Sequence, residues 1–136
     1  MTILGIRAAI QTALATITGL RAYSEYPATL ELPCAIVSLS PTLPVEYNLT
    51  AGNATCVYHF IIDLLLTRQG SIEEAQQALD LYVSFNGTSS IKTAVDAATL
   101  GTHADSIDVS GVDSFGPMTY NNELYIGARF TVDVWV

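Results

Sequence analysis

Positive charge is scarce in this sequence. It has five Lys and Arg residues against thirteen Asp and Glu residues, so its formal net charge is −8 at pH 7. Proteins that bind DNA or RNA tightly neutralise several phosphates with clustered Lys and Arg side chains. The sequence has no basic cluster of that kind, which argues against tight nucleic-acid binding.

Charge of either sign is also sparse. Charged residues make up 13% of the 136 residues, and hydrophobic residues make up 50%. A typical soluble domain has about 25% charged residues, so the deficit suggests that part of the surface is buried against other subunits. The apolar content excludes a disordered chain. The length fits one domain, residues 1–136, that buries roughly two thirds of its unfolded surface.

Cysteines and long apolar runs are few as well. Cys34 and Cys56 lie in apolar segments typical of strands, and we expect unpaired thiols that pack as small hydrophobes. A disulfide or a shared metal ion is the alternative, although no nearby residues complete a zinc site. The longest apolar run, residues 56–66, is far shorter than the ~20 residues of a membrane helix. Because Arg7 and Gln11 interrupt the apolar amino terminus, we expect no secretory leader.

Motifs for catalysis are missing too. The sequence contains no phosphate-binding loop, no dinucleotide fingerprint and no nucleophile elbow. His59 and Asp63 lie on the same face of a predicted strand, but four residues of strand separate them by about 13 Å, too far to share one metal ion. We therefore expect His59 to be a hydrogen-bonded structural residue. The sequence predicts no catalytic, cofactor or metal site and no enzyme.

Two long segments do have a clear pattern, with one wholly apolar face and one mixed face. In residues 56–66 and 123–136 every second side chain is apolar, as in strands of a sheet that is covered on one side. The residues of the apolar face are Cys56, Tyr58, Phe60, Ile62, Leu64, Leu66, Leu124, Ile126, Ala128, Phe130, Val132, Val134 and Val136. We predict that both strands belong to one sheet.

Three helices are predicted to cover that sheet. Apolar residues at three- and four-residue intervals predict an amphipathic helix over residues 2–19. Ser71 and Glu74 form a capping box that opens a second helix, over residues 71–85. A shorter helix, capped by Ser89 or Ser90, is expected to end near residue 98.

The remaining segments predict shorter strands and loops. Residues 33–39 predict a buried strand. Residues 40–55 predict a long loop with an edge strand near 45–47. A carboxy-terminal hairpin is expected, with a strand over 104–115, a turn at 116–118 and a closing strand from 122. A bulge at 110–111 would return its apolar residues to one face. The predicted fold class is α+β, with a single, mostly antiparallel sheet of about four strands and two to three helices on one face.

This order of elements resembles the tail terminator proteins of long-tailed bacteriophages. The resemblance spans nearly the whole chain and is one of layout. The segments that carry it are the amphipathic start from Ile3 to Ile10, the strand from Leu32 to Val37, the strand from Phe60 to Leu66 with the helix from Ser71, and the finish from Leu124 to Trp135.

The resemblance implies a homohexameric ring in the virion tail, at its neck end, assembled in the host cytoplasm. Such a ring caps the tail tube, ends its polymerisation and joins the tail to the head-tail connector or neck protein. Its expected partners are copies of itself, the tail tube protein and the connector. DNA only passes through the lumen, and no membrane and no cofactor are expected. An acidic lumen would repel phosphate and let the genome slide.

Candidate contact residues follow from this expectation. Seven tyrosines exceed what turns require, and tyrosine is frequent in interfaces, although core positions are the alternative. The predicted assembly residues are Tyr47, Asn48, Asn53, Tyr120, Asn121 and Tyr125. The predicted lumen acids are Asp105, Asp108 and Asp133.

Other functions fit the same sequence features. The nearest are another phage neck or head-closure protein and a tail tube subunit. A different class is a small acidic module that binds a ligand on the mixed face of its sheet. A monomer with a ligand-dependent melting shift would favour that module.

Overall fold

Two long strands pair at the centre of a mixed sheet, and three helices pack on one of its faces. The computed structural model describes residues 3–24, 31–47, 56–68, 72–98, 106–120 and 122–135. The elements in chain order are α1 (Ile3–Leu14), β1 (Arg21–Tyr23), β2 (Cys34–Leu39), β3 (Val45–Tyr47), β4 (Cys56–Arg68), α2 (Ile72–Val83), α3 (Ile91–Asp96), β5 (Ser106–Tyr120) and β6 (Glu123–Trp135).

The described part of the sheet has six strands. Its order is β1-β2-β4-β6-β5, and β3 pairs with β4 on the side of β4 that also pairs with β2. β1 runs parallel to β2, whereas the other pairings are antiparallel. The prediction of an α+β fold is confirmed. The predicted sheet of about four mostly antiparallel strands was wrong, because the sheet is larger and mixed.

The missed strand β1 lies in a segment that we interpreted as a connector. Three residues, Arg21 to Tyr23, are too few for an alternating pattern to be recognised. The edge strand predicted near residues 45–47 is present as β3. Its neighbours Pro41 and Pro44 prevent regular pairing immediately before it, because proline has no N–H to donate.

The apolar face of the sheet carries the main core. This face is continuous with the inward sides of all three helices. The buried residues of the cluster are Ile6, Ile10, Leu14, Ile17, Leu20, Ala35, Val37, Phe60, Ile62, Leu64, Leu79, Ile91, Val95, Val109, Ala128, Phe130, Val132 and Val134. The alternation read from β4 and β6 is therefore confirmed as the origin of the core.

Helix α1 is shorter than predicted and ends at Leu14 rather than near Gly19. The Thr16 hydroxyl donates to the Ala13 carbonyl at 2.6 Å, and the Ile17 N–H donates to Leu14 O, three residues back. These tighter turns replace α-helical bonds where β-branched residues disfavour the helix. Gly19, at φ 83°, occupies the left-handed region just before β1.

The other two helices lie near their predicted positions. The Ser90 hydroxyl accepts a hydrogen bond from the Thr93 N–H and caps α3, as predicted. Helix α2 ends at Val83, two residues before its predicted end. Ser71 of the predicted capping box lies outside the described residues.

The hairpin turn lies further along the chain than predicted. β5 continues to Tyr120, which pairs with Glu123 of β6, and Asn122 has φ 66°. Gly116 and Pro117 suggested a turn, but on an edge strand a proline removes no ladder hydrogen bond. The predicted bulge at Ser110 is confirmed by a register shift between Val109 and Gly111.

Candidate functional site

The sheet face opposite the helices carries the polar residues that sequence reasoning singled out. We call this the polar face and define it by Glu46 of β3, His59 and Asp63 of β4, and Arg129 and Asp133 of β6. β4 and β6 are direct neighbours, and His59 lies opposite Asp133 while Asp63 lies opposite Arg129. The same alternation that builds the core on one face therefore aligns these polar side chains on the other.

Asp63 and Arg129 form a partly buried ion pair at the centre of the polar face. Arg129 Nε lies 2.7 Å from Asp63 Oδ1; the Asp63 side chain is 6% exposed and the Arg129 side chain 34%. A second, longer hydrogen bond joins Arg129 Nη2 to Asp63 Oδ2. A carboxylate this deeply buried is stable only with a cation beside it. Arg129 therefore accounts for a charged residue within the most apolar strand.

His59 lies between two carboxylates that come from different strands. Its Nδ1 is 2.6 Å from Asp133 Oδ1, and its Nε2 is 2.7 Å from Glu46 Oε1. A carboxylate only accepts hydrogen bonds, so both contacts are satisfied at once only when both ring nitrogens carry a proton. We call this arrangement the His59 cluster; it connects β3, β4 and β6.

The His59 cluster favours the charged form of the ring. Partial burial lowers the pKa of His59, but the hydrogen bonds to Glu46 and Asp133 and the negative charges of both groups outweigh it. The net result is a pKa raised above the ordinary value of 6.5. A protonated His59 thus compensates part of the charge of the two acids.

A small cavity of about 200 Å³ adjoins the cluster. It is lined by Ser40, Thr42, Leu43, Glu46, His59, Phe60, Ile61, Thr131 and Asp133. Hydroxyl groups are therefore close, but both nitrogens of His59 are occupied by carboxylates, so the ring is not placed to accept a proton from a hydroxyl. Among the described residues, no three His, Cys, Asp or Glu side chains are grouped to hold a metal ion. The arrangement is suited to joining strands.

The residues of β4 and β6 that lie between the two charged pairs also make defined contacts. Ile61 lies opposite Thr131, and the Thr131 hydroxyl is 2.9 Å from the Ser110 hydroxyl of β5. Thr131 also donates to the Gly111 carbonyl at 3.3 Å. These contacts connect the bulge of β5 to the centre of the polar face.

Tyr125, predicted as an assembly residue, is buried in the single chain. Its side chain is only 2% exposed and packs with Cys34, Ile36 and Leu65 in a small apolar cluster on the polar face. Its hydroxyl donates to Glu123 Oε2 at 2.9 Å. The tyrosine lies on the mixed face as predicted, and its ring is buried within its own chain. A role in assembly stays a prediction.

The other predicted assembly residues have different surroundings. Tyr47 of β3 is 73% exposed, and its neighbour Leu43 is 50% exposed. Tyr120 is the last residue of β5, and its side chain is not among those described. Asn48, Asn53 and Asn121 lie outside the described residues.

Two of the predicted lumen acids, Asp108 and Asp133, lie opposite each other on the neighbouring strands β5 and β6. Asp133 belongs to the His59 cluster. Asp108 of β5 pairs with Lys92 of α3 at 3.2 Å, and Asp105 lies outside the described residues. A lumenal position of these acids stays a prediction.

Sequence reasoning missed the protection of the β5 edge by α3. Asp96 Oδ1 accepts from the Val109 N–H at 3.0 Å, and Lys92 Nζ donates to the Val109 carbonyl at 3.1 Å. An edge strand exposes unpaired backbone groups that invite pairing with other chains. Here two side chains satisfy those groups beside the bulge. The four-residue spacing of Lys92 and Asp96 is the signal that could have indicated an ion pair within a helix, but it does not encode the contact of both side chains with β5.

The two cysteines are free thiols at different ends of β4. Cys34 lies opposite Leu65, whereas Cys56 lies opposite Tyr47. Burial raises the pKa of the Cys34 thiol to about 11, so it remains protonated and unreactive near neutral pH.

Two further findings bear on the class of protein. None of the helices in the described part of the chain has the length and apolarity needed to cross a membrane. Compared with protein-family models and with curated proteins, the sequence matches neither any family nor any individual protein.

Proposed function

We propose that the protein is a tail terminator of a long-tailed bacteriophage. It forms a ring that caps the tail tube, ends its polymerisation and joins the tail to the head-tail connector, while DNA passes through the lumen. The observation that carries the proposal is the order of elements: a starting helix, a short buried strand, a proline-rich excursion with an edge strand, a long strand, two helices and a closing hairpin. This is the layout on which the resemblance rests.

The surface supports a role in assembly. Several large apolar side chains of the described chain are exposed, on both the helical side and the sheet. They are Leu4, Leu43, Tyr47, Leu81, Phe85, Val112, Leu124 and Trp135. Exposed apolar residues together with few charges are typical of proteins whose surface is completed by other subunits.

The charge distribution supports a passage through which DNA slides. Three of the five basic residues, Arg21, Lys92 and Arg129, form ion pairs within the chain. These cations are therefore not free to bind phosphates, whereas the chain keeps a net charge of −8. Negative potential around a lumen reduces the affinity for DNA and allows it to move.

The decisive experiment measures the native mass of the purified protein by light scattering and images any assembly by negative stain. We expect closed rings with the mass of about six subunits that bind to the ends of tail tubes. Long tubes would instead identify a tube subunit. A monomer under all assembly conditions would overturn the proposal, and a ligand-dependent melting shift would then favour a binding module.

A further inference from the structure

β3 is the shorter of the two strands that pair with the same side of β4. It comprises three residues, Val45 to Tyr47, and among the described strands it pairs only with β4. One more backbone bond, from the His59 N–H to Pro44 O at 2.9 Å, holds the residue before it. A strand this short contributes few ladder hydrogen bonds, so side-chain contacts decide how firmly it is held.

Glu46 supplies the side-chain contact on the polar face. Its Oε1 lies 2.7 Å from His59 Nε2, while Asp133 binds the opposite nitrogen of the same ring. Asp133 is fixed in the long strand β6, which pairs with β4 on one side and β5 on the other. The imidazole ring is therefore anchored to the long strands of the sheet, whereas Glu46 belongs to the three-residue strand β3.

The strength of this contact depends on one proton. Imidazolium has two N–H donors and a positive charge between two carboxylates, so both hydrogen bonds are charge-assisted. Neutral imidazole has one N–H, so one carboxylate then faces a nitrogen lone pair and loses its donor. Because Asp133 is held in the centre of the sheet, we expect Glu46 to be the group that separates.

We propose that Glu46, His59 and Asp133 form a pH-dependent latch that holds β3 against the sheet. The latch is closed while His59 is protonated and opens when the ring becomes neutral. Opening loosens β3 together with the exposed side chains of Leu43 and Tyr47. A weaker contact between subunits of the assembled ring would follow only from the proposed function. The latch itself does not depend on that function.

The groups around the imidazole ring of His59 favour its protonated form and set the direction of the transition. Glu46 from β3 and Asp133 from β6 are the charged groups that contact His59, and together they raise its pKa against the effect of burial. From β5, Asp108 lies opposite Asp133 but pairs with Lys92 of α3. Ser40, Thr42 and Thr131 add hydroxyl groups in the adjoining cavity, and hydroxyls do not titrate in this range.

Hydrogen exchange tests the latch on the protein in solution. Protection of residues 45–47 is measured at about pH 5.5 and about pH 8.5, on either side of the ordinary histidine range, and is corrected for the intrinsic effect of pH on exchange. In the wild-type protein we expect protection of this segment to fall several-fold at the higher pH, while β6 residues 130–134 remain unchanged. In His59→Gln, which cannot titrate, protection of residues 45–47 should be equal at both values.

A second variant and a second readout keep the test independent of folding defects. The chain has two histidines, so His103→Gln leaves the His59 ring signals assignable by NMR. In that background, Glu46→Gln should lower the measured pKa of His59, whereas Asp108→Asn should change it less. A His59 that titrates below its ordinary value, or protection in His59→Gln that falls with pH as in the wild type, would overturn the latch.

Different experiments would contradict the latch and the proposed ring of subunits. Exchange and NMR titration follow β3 within one subunit, whatever the oligomeric state. Light scattering and imaging follow the ring. A latch that opens in a protein without rings would reject only the tail-terminator function, and rings without pH-dependent exchange would reject only the latch.

Discussion

At the scale of single residues, Asp63 and His59 fix the register between the two central strands, β4 and β6. A slip of one residue would turn every side chain of β6 to the opposite face. A slip of two residues would place Thr131 opposite Asp63 and Asp133 opposite Ile61. Asp63 would then be buried without its cation, which is strongly unfavourable. The polar pairs therefore exclude the alternative pairings that apolar alternation alone permits.

The first prediction concerns the buried ion pair. Arg129→Met should lower the free energy of unfolding by about 3–5 kcal/mol, because Asp63 stays buried without a partner. The double variant Asp63→Leu with Arg129→Met should recover much of that loss, since no charge remains buried. Urea denaturation measures both.

Arg21→Met is the matched control for Arg129→Met. It removes a pair with Glu31 whose two side chains are 61% and 60% exposed, and exposed pairs contribute less than about 1 kcal/mol. If Arg129→Met were no more harmful than Arg21→Met, the ion pair would not hold the centre of the sheet.

The second prediction concerns the pH dependence of stability. The unfolded chain has an ordinary histidine pKa of 6.5, and the folded pKa is raised above it. The stabilisation by the His59 cluster is therefore complete below the unfolded value and is lost as the pH rises through the folded one. Compared with His59→Gln, the wild-type protein should have its greatest advantage in unfolding free energy at about pH 5.5 and lose it toward about pH 8.5, where neutral histidine dominates.

Urea titrations of both proteins at a series of pH values measure this difference. An advantage that is constant, or that grows toward alkaline pH, would contradict the assigned direction of the pKa shift. The comparison needs no assembled ring, because it concerns the folding of one chain.

At the scale of elements, α1 is stabilised by its buried stripe rather than by its helix propensity. Ile10 is fully buried in the core, whereas Leu4, on the outer side of the helix, is 65% exposed. The third prediction is that Ile10→Ala lowers the free energy of unfolding by about 2–5 kcal/mol, because it leaves a cavity. Leu4→Ala should change it by less than about 0.5 kcal/mol. Thermal or urea unfolding distinguishes the two, and similar losses would mean that α1 does not pack as described.

Close contact between β4 and β6 leads to the fourth prediction. A Cβ atom added at Gly127 would overlap the carbonyl oxygen of Leu64, which belongs to the backbone of β4. Because a backbone cannot rotate away as a side chain does, Gly127→Ala should lower the free energy of unfolding by at least about 1–3 kcal/mol. The position lies beside the register shift between Leu65 and Thr67, where the strands are least regular.

Gly111→Ala provides the control for Gly127→Ala in the same sheet. Its added Cβ would meet only the Thr131 hydroxyl oxygen at 3.9 Å, an ordinary contact. We expect a change in stability below about 1 kcal/mol. Equal losses of stability for Gly127→Ala and Gly111→Ala in denaturation experiments would show that the strands β4 and β6 can separate enough to accept a Cβ atom at residue 127.

At the scale of the whole molecule, exposed aromatic residues lie on two different elements. Tyr47 belongs to β3, next in sequence to Glu46 of the His59 cluster, and Phe85, 77% exposed, follows α2. The fifth prediction is that Tyr47→Ala abolishes ring formation or tube binding while the monomer stays as stable as the wild type. Both side chains are mostly in solvent, so neither alanine should change stability by more than about 1 kcal/mol.

Light scattering and tube-binding assays of the two variants locate the assembly contact. With Phe85→Ala we expect rings to form normally. Loss of rings with Phe85→Ala but not with Tyr47→Ala would place the contact near the end of α2, contrary to the prediction. Melting curves of both variants exclude unfolding as the cause.

The sequence by itself determined the class of fold and most of the core. Alternation in β4 and β6 and the isoleucine spacing in α1 are local patterns, and each has one geometric interpretation once a strand or a helix is assumed. The cap at Ser90 and the bulge at Ser110 also depend on neighbouring residues only. Such features can be predicted because the physical reason for them lies within a few residues of chain.

Only the tertiary structure decided which polar residues meet. The pairing of Asp63 with Arg129, and of His59 with Glu46 and Asp133, depends on the register between strands that are distant in sequence, and no local pattern encodes that register. The same holds for the burial of Tyr125 and for the strand β1, which is too short to be recognised until β2 pairs with it. Long-range pairing sets these contacts because their free energy comes from partners that only the folded sheet brings together.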